Sequence, residues 1–478
     1  MKKYLLLIIV GGLFFGCGSD DNHKAPKDIQ VHDFVWKGLN SYYLWKDDVQ
    51  NLADNRFNSQ EEKYSFFRGY SDPEDLFEKL LFRRGEIDRF SLIYEDYDIL
   101  EQVLSGTEDS NGVDYQLFLK PGTSDKVIGW VRYILPDSDA SNKNIKRGDL
   151  FYAVNGTELN TQNYRSLLSQ DNYVLNLVTY NNGIFTPNGQ SVGLTKQKYA
   201  ENPVYYYNVY NIGSHKIGYL IYNGFYGDYD VELNNAFGYF KAQGITDFVL
   251  DLRYNSGGLI SSATHLASMI TGQFNNEIFG KQQWNSQIND FYVSRGEEEE
   301  LINRFTDKLK NGQPINHLYL NKICILTTSS TASASELVIN GLAPYINVVQ
   351  IGDTTVGKNV GSVTLYDSPS FAKNKLNPNH KYVMQPLVLK IVNRDGFGEY
   401  QSGLAPDILI TETLNTIKPL GDITEPFLAS AISYITTYAK PIIVPSAAEV
   451  LFQPINHTKG LNPLKSEMYL DEFPPLTK

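Results

Sequence analysis

Three short apolar runs constrain this chain most: "DFVLD" (247–251), "KICIL" (322–326) and "INVVQI" (346–351). Each has the length of a strand rather than a helix, and turn residues bound each one. Between them lie helical patterns, "DVELNNAFGYFKAQ" (230–243), "LISSATHLASMITG" (259–272) and a stretch from Ser333 to about Tyr345; a further strand, "HKIGYLIYNGF", precedes them at 215–225. Strands alternating with helices predict sheet-and-helix layers, an α/β unit over 200–440. At 478 residues the chain is long enough for two to four domains. A formal charge of −12 argues against nucleic acid as a partner, because phosphate binding needs a surplus of Lys and Arg.

The other regions read differently. Residues 28–100 carry apolar side chains at helical spacing in "DFVWKGLNSYYLW" and "DPEDLFEKLLF", which predicts a small helical region ending near "DRFSLIY". Residues 101–199 turn to short β-like runs, "GVDYQLFL", "KVIGWVRYIL", "DLFYAVNG" and "YVLNLVTY", with one short helix in "NYRSLLSQ". The residues after Pro441 (441–478) are Pro-rich and read as irregular. The run Glu297–Glu300 is a solvated face.

The chemistry centres on "TTSSTASAS", where seven hydroxyl side chains fall in nine positions, Thr327 to Ser335. A Ser at a strand-to-helix junction exposes its hydroxyl beside helix N-terminal amides, as a nucleophile requires. The same residues also fit a capping box, Ser333 accepting from an N3 amide and Glu336 reaching back. Taken alone the stretch allows either reading, with Thr331 and Ser335 shaping the turn.

The rest of the chain weighs on that choice. "TASASE" resembles the nucleophile motif of the C-terminal processing (tail-specific) serine peptidases, family S41. The family's Gly-Lys pair matches Gly357-Lys358, 25 residues after Ser333. "DLRYNSGG" resembles its oxyanion turn, and "GLAPDI" (403–408) its Gly-x-x-Pro-Asp element. The resemblance covers about residues 30–435. It implies a ClpP/crotonase-like αβ protease core, with Ser333 as nucleophile, Lys358 as base, and the Ala334 amide with that of Gly257 or Gly258 holding the oxyanion. A Lys acts as a base only when neutral, so its pKa has to fall from about 10.4 by roughly 3 units. Asp251 and Arg253 read as an ion pair ordering the turn, and Asn255 as orienting it. The family's Gln, four residues after the Lys, is replaced here by Ser362, which leaves the third member of the site open. His265 reads as a packed or exposed helical residue and Cys324 as a buried strand thiol. No metal-binding or nucleotide-binding motif is present, so no cofactor is expected.

The region 101–199 resembles a PDZ domain through "IKRGDLFYAVNGTEL" and through Gly112, Val113, Asp114 and Tyr115, which lie where that family has its carboxylate-binding loop. The resemblance implies capture of peptides with free C-termini, through loop amides and strand addition.

The leader "MKKYLLLIIVGGLFFGCGSDDNHK" has a basic start, a short apolar stretch and Gly16-Cys17 at a small-residue cleavage site. It resembles a bacterial lipoprotein signal. That implies removal of 1–16, lipidation of Cys17, a tether over 17–27, and a membrane-anchored protein of the cell envelope, on the outer membrane. The leading expectation is a serine endopeptidase of the envelope. The alternatives are a non-catalytic peptide-binding lipoprotein and a carrier of apolar ligands.

Overall fold

The computed structural model describes residues 25–181, 183–414, 417–438, 452–466 and 468–474. The leader, with Cys17, and residues 439–451 lie outside the described residues.

Four of the expected runs form the middle of one sheet. Its order is Val204–Ile212, His215–Tyr222, Asp247–Asp251, Lys322–Thr327, Asn347–Gly352 and Ile408–Leu409. The first pair is an antiparallel hairpin and every later pairing is parallel. Successive side chains of a strand face opposite ways, so each central strand feeds two cores. Leu220, Tyr222, Leu250, Ile323 and Ile325 pack with the helices Asp230–Gln243, Ile260–Ile270 and Ala334–Leu342. Tyr219, Ile221, Val249, Cys324 and Leu326 pack with the helix Pro426–Thr437 on the other face.

A second sheet lies beyond the first helix layer, in the order Gly258–Leu259, Met468–Leu470, Val360–Val363, Leu387–Val392, Ile278–Trp284 and Ile302–Arg304. The N-terminal helices Gln30–Tyr42, Gln60–Phe67 and Pro73–Lys79 join the same core. Asn285 ties down the end of the first of them by donating to the Ser41 and Tyr43 carbonyls at 3.2 and 3.1 Å. The Leu387 amide donates to Ser91 Oγ, which brings Arg89 and Phe90 to the central unit.

The β-like region forms its own sheet, in the order Pro454–His457, Val113–Leu119, Val127–Ile134, Leu150–Val154, Asn172–Asn181 and Ile184–Thr195, with the short helix Tyr164–Ser169 against it. It has a separate core around Leu117, Val131, Phe151, Leu168 and Leu175.

The chain end differs from its reading as irregular. Pro454–His457 is an edge strand of the β-rich sheet, and Met468–Leu470 is an inner strand of the second sheet. Strands this short have no period of their own; the partner strands supply the hydrogen bonds that order them.

Candidate active site

The strand Lys322–Thr327 ends in a tight turn, and the helix Ala334–Leu342 begins on its far side. Most of the hydroxyls between are engaged in building that turn. Thr327 donates to the Asp353 carbonyl, Thr328 to that of Arg253, Thr331 to that of Leu252 and Ser335 to that of Asn255. Ser330 Oγ accepts from Arg132 at 3.0 Å. Ser329 is exposed, and Ser333 stands apart from the rest. It is fully buried, its Oγ has no hydrogen-bond partner, and its backbone sits at φ 67°, ψ −119°. A positive φ at a non-glycine residue costs of order 1–3 kcal/mol and persists only where the surroundings enforce it.

Glu336 supplies part of that enforcement. Its carboxylate accepts from the Ser333 amide at 2.7 Å, the reaching-back half of a capping box. The same carboxylate accepts from the Gly357 amide at 2.7 Å, the Lys358 amide at 2.8 Å and the Thr355 hydroxyl. One buried side chain therefore fixes the backbone at both Ser333 and Lys358. Burial pushes the Glu336 pKa above the ordinary carboxylate value, and these four donors oppose that shift.

Lys358 is also fully buried, and its Nζ lies 4.8 Å from the centre of the Phe90 ring. Arg89 donates to the Gly357 carbonyl at 2.6 Å and to that of Gln401 at 3.2 Å. Gly357 sits at φ 84°, where a side chain would collide with the Gln401 carbonyl at 2.3 Å. The "GLAPDI" element thus packs directly on the Lys358 loop, with the Leu404 amide donating to Thr355 Oγ1 at 2.7 Å.

The Gly turn faces the same point. A Cβ on Gly257 would lie 2.5 Å from Ser333 Cβ and 2.7 Å from its Oγ. Asn255 binds the two segments together. Its Oδ1 accepts from the Gly257 amide, its Nδ2 donates to the Tyr222 carbonyl, and its own carbonyl accepts from the Ala332 amide. The Gly257 amide is engaged inside the turn. Ala334 opens its helix, where an amide has no intrahelical acceptor. Asp251 and Arg253 form a buried bidentate pair, extended to Tyr219 and Glu425.

The remaining expected site residues fall in two places. Ser362, on Val360–Val363, is buried, and its Oγ donates towards Gln385 Oε1 at 3.3 Å and the Met468 carbonyl at 3.2 Å. A glutamine does therefore stand beside this position, delivered by the strand Val383–Gln385. Gly112 turns the chain at φ 90°, while Val113, Asp114 and Tyr115 already belong to the strand Val113–Leu119. Asp114 pairs with buried Arg132 rather than facing a ligand groove, and the Tyr115 amide donates to Thr458 Oγ1 at 2.7 Å. His265 hydrogen-bonds with Asp230 at 2.6 Å, and Cys324 is buried in its strand.

Sequence reasoning missed the double duty of Glu336 and the contributions of Phe90, Arg89 and Gln385. Only Glu336 carried a signal, its place in the capping box.

A family model described as peptidase family S41 matches residues 216–410, and one described as the peptidase S41 N-terminal domain matches residues 30–92. The chain belongs to peptidase family S41. This S41 chain is 26% identical over 206 residues to the "Probable CtpA-like serine protease" of Staphylococcus aureus strain N315, covering 42% of this chain and 36% of the relative. The protein of the same name in Staphylococcus epidermidis strain ATCC 12228 is 26% identical over 205 residues, again covering 36% of its length. The chain thus spans little more than a third of the curated relatives it matches. Among solved structures, an S41 family protein of Bacteroides fragilis NCTC 9343 superimposes with a TM-score of 0.66. The match covers 85% of this chain and 97% of that one at 23% identity, a likeness of fold.

Proposed function

We propose that this S41 chain is a serine endopeptidase in which Ser333 attacks and Lys358 moves the proton. The observation that carries the reading is the state of Ser333. It is a buried hydroxyl with no hydrogen-bond partner, in a strained turn tied through Glu336 to the Lys358 loop.

In this mechanism neutral Lys358 takes the Ser333 proton as Oγ adds to the scissile carbonyl. The Ala334 amide, with that of Gly257 or Gly258, holds the oxyanion; one such donor is worth about 3 kcal/mol. The protonated Lys358 then gives its proton to the leaving amine. Water repeats the addition on the acyl-enzyme with the same proton transfers, releasing the acid and restoring Ser333. Ser362 and Gln385 hold the strand Val360–Val363 that follows Lys358. The β-rich unit acts as a PDZ-like module that recruits polypeptides by their free C-termini. Cys17 carries a lipid that anchors the protein in the cell envelope, on the outer membrane.

The test is cleavage of an unfolded protein with an apolar C-terminus by the mature chain and by Ser333→Ala. Cleavage by the former and none by the latter is expected. Cleavage surviving in the variant sinks Ser333, and peptide binding without cleavage by either protein points to a binding module.

A further inference from the structure

The segment that completes the β-rich sheet is the chain's own C-terminal region. Without Pro454–His457, the strand Val113–Leu119 is a sheet edge. The segment runs antiparallel to that edge, with Pro454 opposite Phe118, Asn456 opposite Leu117 and His457 opposite Gln116. The Leu119 amide donates to the Gln453 carbonyl at 3.0 Å, and Gln116 Nε2 donates to the Asn456 carbonyl at 2.8 Å. Ile455 packs on the core of the unit, and Asn456 reaches Tyr164 on the flanking helix. The segment therefore lies between strand and helix, heading for the turn at Gly112. At the point where a free carboxylate would end such a peptide, Thr458 Oγ1 instead accepts the Tyr115 amide. The chain then turns away into the short helix Thr458–Leu461. Beyond it the groove continues as a cavity of about 550 Å³, lined by Asn111, Val113, Arg165 and Lys196 among others.

The same segment reaches the peptidase site. Ser256, in the Gly turn, donates to the Lys465 carbonyl at 2.6 Å. Met468 and Tyr469 pair with Gly258 and Leu259, and Tyr469 and Leu470 with Ser362 and Val363. This end of the chain is thus wedged between the oxyanion turn and the strand that follows Lys358, in a structure where Ser333 and Lys358 are both 0% exposed.

We infer that residues 453–458 are a tethered competitor for the peptide groove, which a substrate C-terminus must displace before it can add to the Val113–Leu119 edge. The inference rests on the reading of the β-rich unit as a peptide-capture module. A docked internal segment lowers the apparent affinity for an external peptide by the fraction of molecules in which the groove is open. Its effective concentration is about millimolar or higher because it is part of the same chain.

The test uses the mature chain carrying Ser333→Ala, so that binding is read without cleavage. The probe is a fluorescent peptide of sequence Phe-Gln-Pro-Ile-Asn-His-Thr, copied from residues 452–458 and ending in a free carboxylate. Adding Ile455→Asp, which removes the apolar anchor of the internal strand, should tighten peptide binding by about tenfold or more. In the chain without that change, saturating peptide should raise amide hydrogen exchange in 453–458 while Val113–Leu119 stays protected. This second readout needs no destabilising variant. Equal affinity for both proteins, with unchanged exchange in 453–458, overturns the competitor and leaves peptide capture standing. No binding by either protein overturns the capture reading and the competitor together.

Discussion

Replacing Glu336 by Gln isolates the part of the site that joins its two halves. The carboxylate accepts four hydrogen bonds, two on each oxygen: Thr355 and Gly357 on Oε1, Ser333 and Lys358 on Oε2. Gln keeps the shape and offers one carbonyl oxygen, so its amide group must face two donors. The Thr355 hydroxyl can rotate away, but the three backbone amides cannot. In the better flip the carbonyl stays on the Ser333 and Lys358 amides, and Gly357 loses its acceptor. In the other flip, two buried amides are orphaned. An unsatisfied buried donor costs about 1–3 kcal/mol, and the side chain takes the better flip, so Glu336→Gln should destabilise by about 1–3 kcal/mol. The catalytic effect comes from geometry, because a displacement of about 1 Å between reacting groups costs on the order of 100-fold in rate. Urea unfolding and steady-state cleavage of an unfolded substrate measure the two effects separately. A urea midpoint equal to that of the parent, with kcat/KM within about threefold, would refute the claim that Glu336 holds Ser333 and Lys358 in register.

Three further changes probe other parts of the account. Gly257→Ala places a methyl 2.5 Å from Ser333 Cβ at a backbone φ of 113°, so activity should fall by about 100-fold or more, and retention of half the parent rate would contradict the packing of the Gly turn on Ser333. Burial holds the His457 pKa well below its ordinary value, with the cations Arg132 and Lys459 acting in the same direction while Asp114 pairs with Arg132. The folded chain then keeps His457 neutral while the unfolded chain takes up a proton near pH 6.5, so stability is lost as pH falls below that point, by up to about 1.4 kcal/mol per pH unit. His457→Asn should flatten the slope of urea stability between pH 7 and 5, and an unchanged slope would assign the acid sensitivity to other groups. Cys17→Ala should move the protein from the membrane fraction to the soluble fraction of a bacterial host, whereas continued membrane association would remove the lipid anchor from the account.

The parts legible in the sequence were those that local pattern determines. The apolar runs at 247–251, 322–326 and 346–351 are strands because nothing but a sheet interior suits them, and the structure assembles them side by side. The pairing of Ser333 with Lys358 was legible only through the resemblance to the S41 motifs, since local pattern alone read a helix cap and a Lys in a Gly-rich turn. Glu336 was read as a helix cap because its nearest partner, Ser333, is three residues away. Its other partners are 19 to 22 residues on and are brought back by the fold. Phe90 and Arg89 arrive from the N-terminal region, and Gln385 from a strand paired with another part of the chain, so no spacing rule reaches them. The C-terminal strands were illegible for a different reason. "PINH" and "MYL" are too short and mixed for any period, and their structure exists only in the partners that bind them.

The central claim is tested most directly by trapping the acyl-enzyme. The mature chain is mixed with an activated peptide ester, quenched in acid and mapped by mass spectrometry. One acyl group on Ser333 is expected, formed by the parent protein, lost in Ser333→Ala and formed at least about 100-fold more slowly in Lys358→Ala. An adduct on another residue, or undiminished turnover by Ser333→Ala, would contradict it.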